Sequence, residues 1–370
     1  GNGWYAVQTE FKVAADATKL YARFTYEAPA SNGGGRFDDF KLVAGGNGTP
    51  GTGVRIMSCQ VIDGMYSVTL AQEARAFKYA ADNGAVIVQC SWGYNSALAN
   101  MMEGYTPGPA SEEEWSTLYP LEKEAIDYFI HNAGSPNGVI DGGVAVFAAG
   151  NENAPSAGFP GAADYCISVA ATSADFTPAT YTNYGPGTTL SAPGGDQDYH
   201  FDYFNPESGK YGEIGCILST LPYHVSKTGY GFFEGTSMAC PHVSGVVALG
   251  LSYATKLRKH FKAEEIRKML CDAQNVTPID EYMKGYKYYN RYVNDIGALQ
   301  PMQLPLAPYK GQMGAGQVNA AKFLAAIGSE AVYLLTDDMV NGQKEIPMAD
   351  DDMFGDLITK TITILHDDAK

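Results

Sequence analysis

From about Gly53 onward, short apolar blocks alternate with stretches of helical spacing, and that rhythm leaves few architectures open. Ala85–Cys90, Gly143–Ala148 and Cys166–Ala171 are each nearly continuous in apolar residues, the pattern of strands buried on both faces. Val54–Val61 reads as a further strand. Leu70–Asp82 has helical spacing and stops at Asn83-Gly84, a helix-end signal. Ser111-Glu112-Glu113-Glu114 reads as a capping box opening a helix that runs, with an internal Pro120, toward His131. Residues 263–272 and 319–327 read as peripheral helices. Strands and helices in alternation imply an α/β fold, a parallel sheet with helices on both faces.

The two ends have a different texture. Trp4–Val13, Lys19–Tyr26 and Arg36–Val43 read as strands, with a turn at Ser31-Asn32-Gly33-Gly34-Gly35. They resemble the last strands of a carbohydrate-binding-type jelly roll, although three strands cannot bury two facing sheets. After about Glu330 the chain is β-like again, at Val332–Leu335 and Ile358–Leu365, with an Asp/Met-rich loop at 346–356. The expected division is a partial β-sandwich-like segment at 1–43, an α/β domain at 44–328, and the start of a C-terminal β domain at 329–370.

Composition excludes some classes. With 45% hydrophobic residues the chain can bury a sizeable core, and a net charge of −16 argues against nucleic-acid binding. No run of 18 apolar residues predicts a membrane helix, and no secretory signal is visible at Gly1. The six cysteines form no CxxC pair, so no zinc site is expected and buried free thiols are favoured over disulfides. No Asp-x-Asp-x-Asp-Gly ladder supports calcium, and acidic loops such as 346–352 read as solvated, so no cofactor or metal is expected.

Three runs carry chemistry. Gly235-Thr236-Ser237-Met238-Ala239-Cys240-Pro241-His242-Val243-Ser244-Gly245 opens an apolar helix reaching about Leu257. Pro241 is placed in its first turn, where a missing N–H costs nothing. A serine at a helix start is usually a cap. The small residues Gly235, Ala239 and Gly245 around Ser237 also allow a substrate backbone to approach. Val144–Ala148 ends in Ala149-Gly150-Asn151-Glu152-Asn153, placing an asparagine where open α/β sheets bind ligands. Val86–Cys90 leads into Ser91-Trp92-Gly93.

These runs resemble, in order, the nucleophile, oxyanion and substrate-strand motifs of the subtilisin-like serine proteases (subtilases). Tyr184-Gly185 followed by Leu190–Gly194, and Gly314–Ala320, match further family segments. The resemblance covers roughly residues 45–327. It implies a subtilisin-like fold with partial β segments at both ends. It also implies a serine endopeptidase forming an acyl-enzyme on Ser237, with Asn151 as oxyanion donor. Ser91, Trp92, Gly93, Ala148, Ala149, Gly150 and Thr236 would bind a peptide or protein substrate. His242 would be a packing residue, not the base. Family habit implies a secreted or cell-envelope protein.

The family's apolar–Asp–Thr/Ser–Gly strand and His-Gly-Thr-His helix start are absent. None of His131, His200, His224, His242, His260 and His366 precedes Gly-Thr. Ile62-Asp63-Gly64 lies downstream of where the histidine belongs. The break falls between Leu42 and Gly45, and joined pieces of a longer protein or a rearranged gene are favoured over a second chain supplying the missing parts. The expectation is little or no peptidase activity for this chain. The alternative is a non-catalytic pseudoprotease gripping an extended peptide or glycan. A Gly-x-Ser-x-Gly hydrolase elbow does not occur.

Overall fold

Strand β2 (Val144–Ala148) sets the layering. Val144, Val146 and Ala148 belong to the core on one face and Ala145 and Phe147 to the core on the other, so all five residues are buried. The computed structural model describes residues 54–329 except 64–65, 68, 207–208, 224 and 294–297. The expectations for 1–43 and 330–370 fall outside the described residues.

Beside β2 run β1 (Ile87–Cys90), β3 (Ile167–Thr172) and β4 (Leu190–Pro193), all parallel. The hydrogen-bonded order continues through β8 (Gln317–Val318), parallel to β4, to β5 (Val276–Thr277), antiparallel to β8. The six-stranded sheet thus reads β5-β8-β4-β3-β2-β1. Helices α1 (Leu70–Asp82), α2 (Glu112–Leu118) and α3 (Pro120–Asn132) cover one face with Phe77, Trp115, Ile126 and Phe129. On the other face, α4 (Thr236–Lys256), α5 (Ala263–Leu270) and α6 (Ala320–Ser329) contribute Val243, Val247, Ile266 and Phe323. A Cβ on Gly250 would come within 2.3 Å of the Phe323 ring, so its bare backbone lets α6 close onto α4.

Two expectations need correction. Val54–Val61 forms no strand: Ile56 is 90% exposed, and the first pairing is the short Ile62–Asp63 with Tyr66–Ser67. Apolar residues make a strand only beside a hydrogen-bonding neighbour, and among the described residues the sheet ends at β1. The helix expected to run through Pro120 is two helices. Pro120 cannot donate within a helix, so it begins α3, at the position where a missing N–H is harmless. Cys90, Cys166 and Cys240 are buried free thiols, whereas Cys216 and Cys271 are free but only half-buried.

A hairpin of β6 (Tyr286–Val293) and β7 (Ala298–Pro305) lies against the loops after β3 and β4. Its inward residues Lys287, Tyr289 and Leu304 are buried. The Lys287 ammonium donates to Asp196 at 2.6 Å, the Pro178 carbonyl at 2.7 Å and Ser173 Oγ at 2.8 Å, and lies over the Tyr199 ring. Asp196 also accepts from the Thr180 N–H and hydroxyl and from the Tyr199 N–H. Burial holds the Lys287 pKa below the usual lysine value despite the attraction of Asp196. Lys287→Met would strand a fully buried carboxylate. The expected loss is about 3–5 kcal/mol in urea unfolding. A loss below about 0.5 kcal/mol, within the effect of an ordinary surface change, would mean that Thr180 and Tyr199 alone satisfy Asp196.

Candidate active site

Helix α4 begins after Gly235, whose φ of +141° few side-chain-bearing residues could adopt. Ser237 is its second residue, so its N–H has no acceptor four residues back within the helix. Pro241 is the sixth residue and not in the first turn as expected. It lacks the N–H that would bond the Ser237 carbonyl. That carbonyl is taken instead by the Ser91 hydroxyl at 2.6 Å, while Gln89 Nε2 donates to Ser91 Oγ at 2.6 Å. The Ser237 hydroxyl donates to the Ser91 carbonyl at 3.2 Å. The end of β1 and the start of α4 are therefore clasped in both directions.

Asn151 reaches the same helix start from the end of β2. Its Oδ1 accepts from the Thr236 N–H at 2.9 Å and the Thr236 hydroxyl at 2.8 Å, committing its Nδ2 as a donor beside Gly235. The Gly150 N–H donates to Thr236 Oγ1 at 3.3 Å. Glu152 accepts from the N–H groups of Asn151 and Ser96 and from Asn183 Nδ2. Asn183 in turn accepts from the N–H groups of Glu152 and Ala154 and donates to the Ala149 carbonyl. A Cβ on Gly150, at φ +111°, would fall 2.2 Å from Asn183 Nδ2. Behind the helix start, the hydroxyl of the half-buried Tyr181 accepts from the Gly235 N–H at 2.8 Å and donates to the Gly195 carbonyl at 2.7 Å.

Ser91, Trp92, Gly93, Ala148, Gly150, Asn151, Thr236 and Ser237 line one cleft of about 120 Å³, together with Tyr94 and Glu152. Ala149, expected among them, is fully buried behind the wall, its backbone bonded to Val169, Gly158 and Asn183. Tyr94 and Glu152 were not among the expected site residues. Each adjoins an expected motif, but a tyrosine and a glutamate in loops give no local signal of their direction. Trp92 stands edge-on to Phe77 and Phe147, at 6.2 and 5.4 Å between ring centroids, and is fixed by the core below. Burial pushes the Cys240 thiol up to about 12, so it stays neutral beneath the cleft.

No histidine among the described residues hydrogen-bonds Ser237. His131 and His260 bond the Asp127 and Gly138 carbonyls, and His200 has a buried, unpartnered Nε2. His242 is exposed, bonded to the Met238 carbonyl, and is not the packing residue expected. The reason lies in the helix period: His242 falls on the solvent face of α4, opposite Val243 and Val247.

A serine on a helix start, an anchored asparagine and a clasping strand end at one end of a parallel sheet are the arrangement expected of a subtilisin-type domain. The subtilase family profile matches residues 42–291, and the chain belongs to that family. It is 28% identical over 289 residues to a calcium-dependent protease of Trichormus variabilis, covering 71% of this chain and 39% of the relative. It is 30% identical over 196 residues to alkaline elastase YaB of a Bacillus species, covering 53% of this chain and 38% of the relative. A solved structure, the prenylagaramide maturation protease PagA, is similar over 73% of this chain and 72% of that one, with 20% identity and a TM-score of 0.46. The chain spans about two fifths of the length of these curated relatives.

Asn151→Ala would leave the Thr236 N–H and hydroxyl without their acceptor. The expected cost in thermal or urea unfolding is about 1–3 kcal/mol. Asn151→Asp keeps the accepting oxygen and should stay close to the parent. An aspartate variant as unstable as the alanine one would place the stabilisation in Nδ2 instead.

Proposed function

We propose that the cleft is the acyl-transfer site of a serine endopeptidase, with Ser237 as nucleophile toward a peptide carbonyl. The observation that carries this reading is the pairing of the free Ser237 N–H at the α4 start with the anchored Asn151 amide. Both would donate to the tetrahedral oxyanion, a role in which one lost donor costs about 2.7–4 kcal/mol of transition-state stabilisation. Ser91, Trp92, Gly93, Ala148 and Gly150 would hold the substrate side chain preceding the scissile bond, and Thr236 fixes Asn151. The reading requires no cofactor. Relatives named as extracellular proteases, from Dichelobacter nodosus and Xanthomonas campestris, support secretion or a place at the cell envelope. Among the described residues no helix is long and apolar enough to cross a membrane.

Acyl transfer also needs a base, because a serine hydroxyl is a weak nucleophile until its proton is accepted. Here the Ser237 hydroxyl donates to a backbone carbonyl, which is no base. This favours low turnover for the chain as it stands, and it is also what supports the second reading, a non-catalytic module gripping an extended peptide.

The test is hydrolysis of a generic peptide substrate, together with labelling by a fluorophosphonate probe, on this chain and on its Ser237→Ala and Asn151→Ala variants. Slow labelling is expected, lost in Ser237→Ala and reduced about 10²–10³-fold in Asn151→Ala. Peptide turnover should stay near the Ser237→Ala background. Labelling indifferent to Ser237→Ala would sink the acyl-transfer reading. Robust turnover abolished by that change would mean that a base does reach Ser237.

A further inference from the structure

Behind the Tyr94 wall of the cleft, two carboxyl groups meet with no cation between them. Glu122 of α3 is 1% exposed and accepts from Trp115 Nε1 at 2.6 Å. The Tyr94 hydroxyl is within hydrogen-bonding reach of it. Glu73 of α1 faces Glu122 from the other side, and its Oε1 is buried with no conventional donor. Two carboxylates cannot hydrogen-bond each other, whereas a carboxylic acid and a carboxylate can. Trp115 Nε1 donates to Glu122, and no donor reaches Glu73 Oε1. Glu122 is therefore the charged partner and Glu73 the one that carries the proton.

We propose that Glu73 and Glu122 are a positioning pair for the cleft: one proton shared between their carboxyl groups ties α1 to α3 behind Tyr94, and its loss frees that wall. Tyr94 is held from three directions. Its ring stacks on Tyr119 at 4.2 Å, its N–H bonds the Phe159 carbonyl, and its hydroxyl faces Glu122. The adjacent Trp92 leans on Phe77, one helical turn from Glu73 on α1. A change at the α1–α3 seam thus reaches two residues that line the cleft.

Burial, reinforced by Glu122, pushes Glu73 up to about 8. Glu122 is also raised by burial, against the pull of its bonds to Trp115, Glu73 and Tyr94. The other titratable groups facing the pair are Tyr94 and the buried Cys90 thiol. Arg75 on α1 is exposed, and Lys78, Asp82 and Tyr128 bind one another further along the α1–α3 seam. Among the described residues no cation stands beside either carboxyl to offset the second negative charge. A carboxyl raised in the folded state favours folding most at low pH. That contribution is lost as pH rises from about 4.5 toward about 8.

The proposal concerns the cleft described above, and none of its readouts uses catalysis, so absence of peptidase activity leaves its test intact. The infrared carbonyl stretch of a neutral carboxylic acid should be present in the whole chain at pH 7. It should be about half lost near pH 8, and at pH 7 Glu73→Gln should weaken it to the contribution of Glu234, which burial pushes up to about 7. The melting temperature of the parent should fall between pH 5 and pH 8 more steeply than that of Glu73→Gln. Glu264→Gln, at an exposed residue of α5 paired with Lys268, serves as the charge control and should keep the parent slope. Hydrogen exchange at the bonded amides of Tyr94 and Ser96, corrected for intrinsic rates, should quicken about tenfold above pH 8 in the parent but not in Glu73→Gln. A neutral-carboxyl band at pH 7 that Glu73→Gln leaves undiminished, or a Glu73→Gln slope equal to the parent's, overturns the shared proton. Exchange at Tyr94 and Ser96 that is blind to pH overturns the link to the wall. If Glu73→Gln does not fold, the exchange measurement on the parent decides alone.

Discussion

The site depends on a hydrogen bond that helix α4 cannot make. Pro241 has no N–H to offer the Ser237 carbonyl, and a proline this far into a helix would ordinarily leave a kink or an unsatisfied acceptor. Here the vacancy is filled from outside by Ser91, itself held by Gln89. A defect in one element becomes the attachment point for another. The helix start is then fixed relative to the sheet by side-chain and backbone bonds that α4 could not form were its own ladder complete. Asn151 supplies the second anchor through Thr236, and Tyr181 the third through the Gly235 N–H.

Much of the fold was legible in the sequence because the buried strands are local facts. Val144–Ala148 and Ile167–Thr172 are apolar throughout and sit between two helix layers, so pattern and structure coincide. The segments around Asn151 and Ser237 were legible for a different reason: their glycines are demanded, Gly150 by the close approach of Asn183 and Gly235 by its φ of +141°. What was not legible depended on partners distant in the chain. Val54–Val61 has strand chemistry, but among the described residues the sheet has no strand beyond β1. The role of Pro241 follows from Ser91, which lies far upstream. Tyr94 and Glu152 are held in the cleft by Phe159 and Tyr119 and by Asn183 and Ser96, none of which marks itself as a site residue. Ala149 differs from Ala148 only in which side of the chain faces the cleft, and composition cannot express that.

The buried polar groups divide into two kinds. Lys287 and Asp196 neutralise each other and have further partners on both sides, which makes the hairpin a fixed part of the molecule. Glu73 and Glu122 carry the same sign and can settle only by keeping a proton. Both arrangements are satisfied networks near neutral pH, but only the second is sensitive to pH in the range where carboxyls are normally ionised.

The clasp between Ser91 and Ser237 joins residues 146 apart in the chain, and the bond from Asn151 to Thr236 spans 85. Contacts of such long range close late, because the entropy of the intervening loops must be lost before the bonds can form. The cleft is consequently a product of completed topology. A folding intermediate can hold β2, β3 and their covering helices and still have no site at all. Ser237 chemistry would then report on the final step of assembly, silent until the first and last thirds of the domain have met.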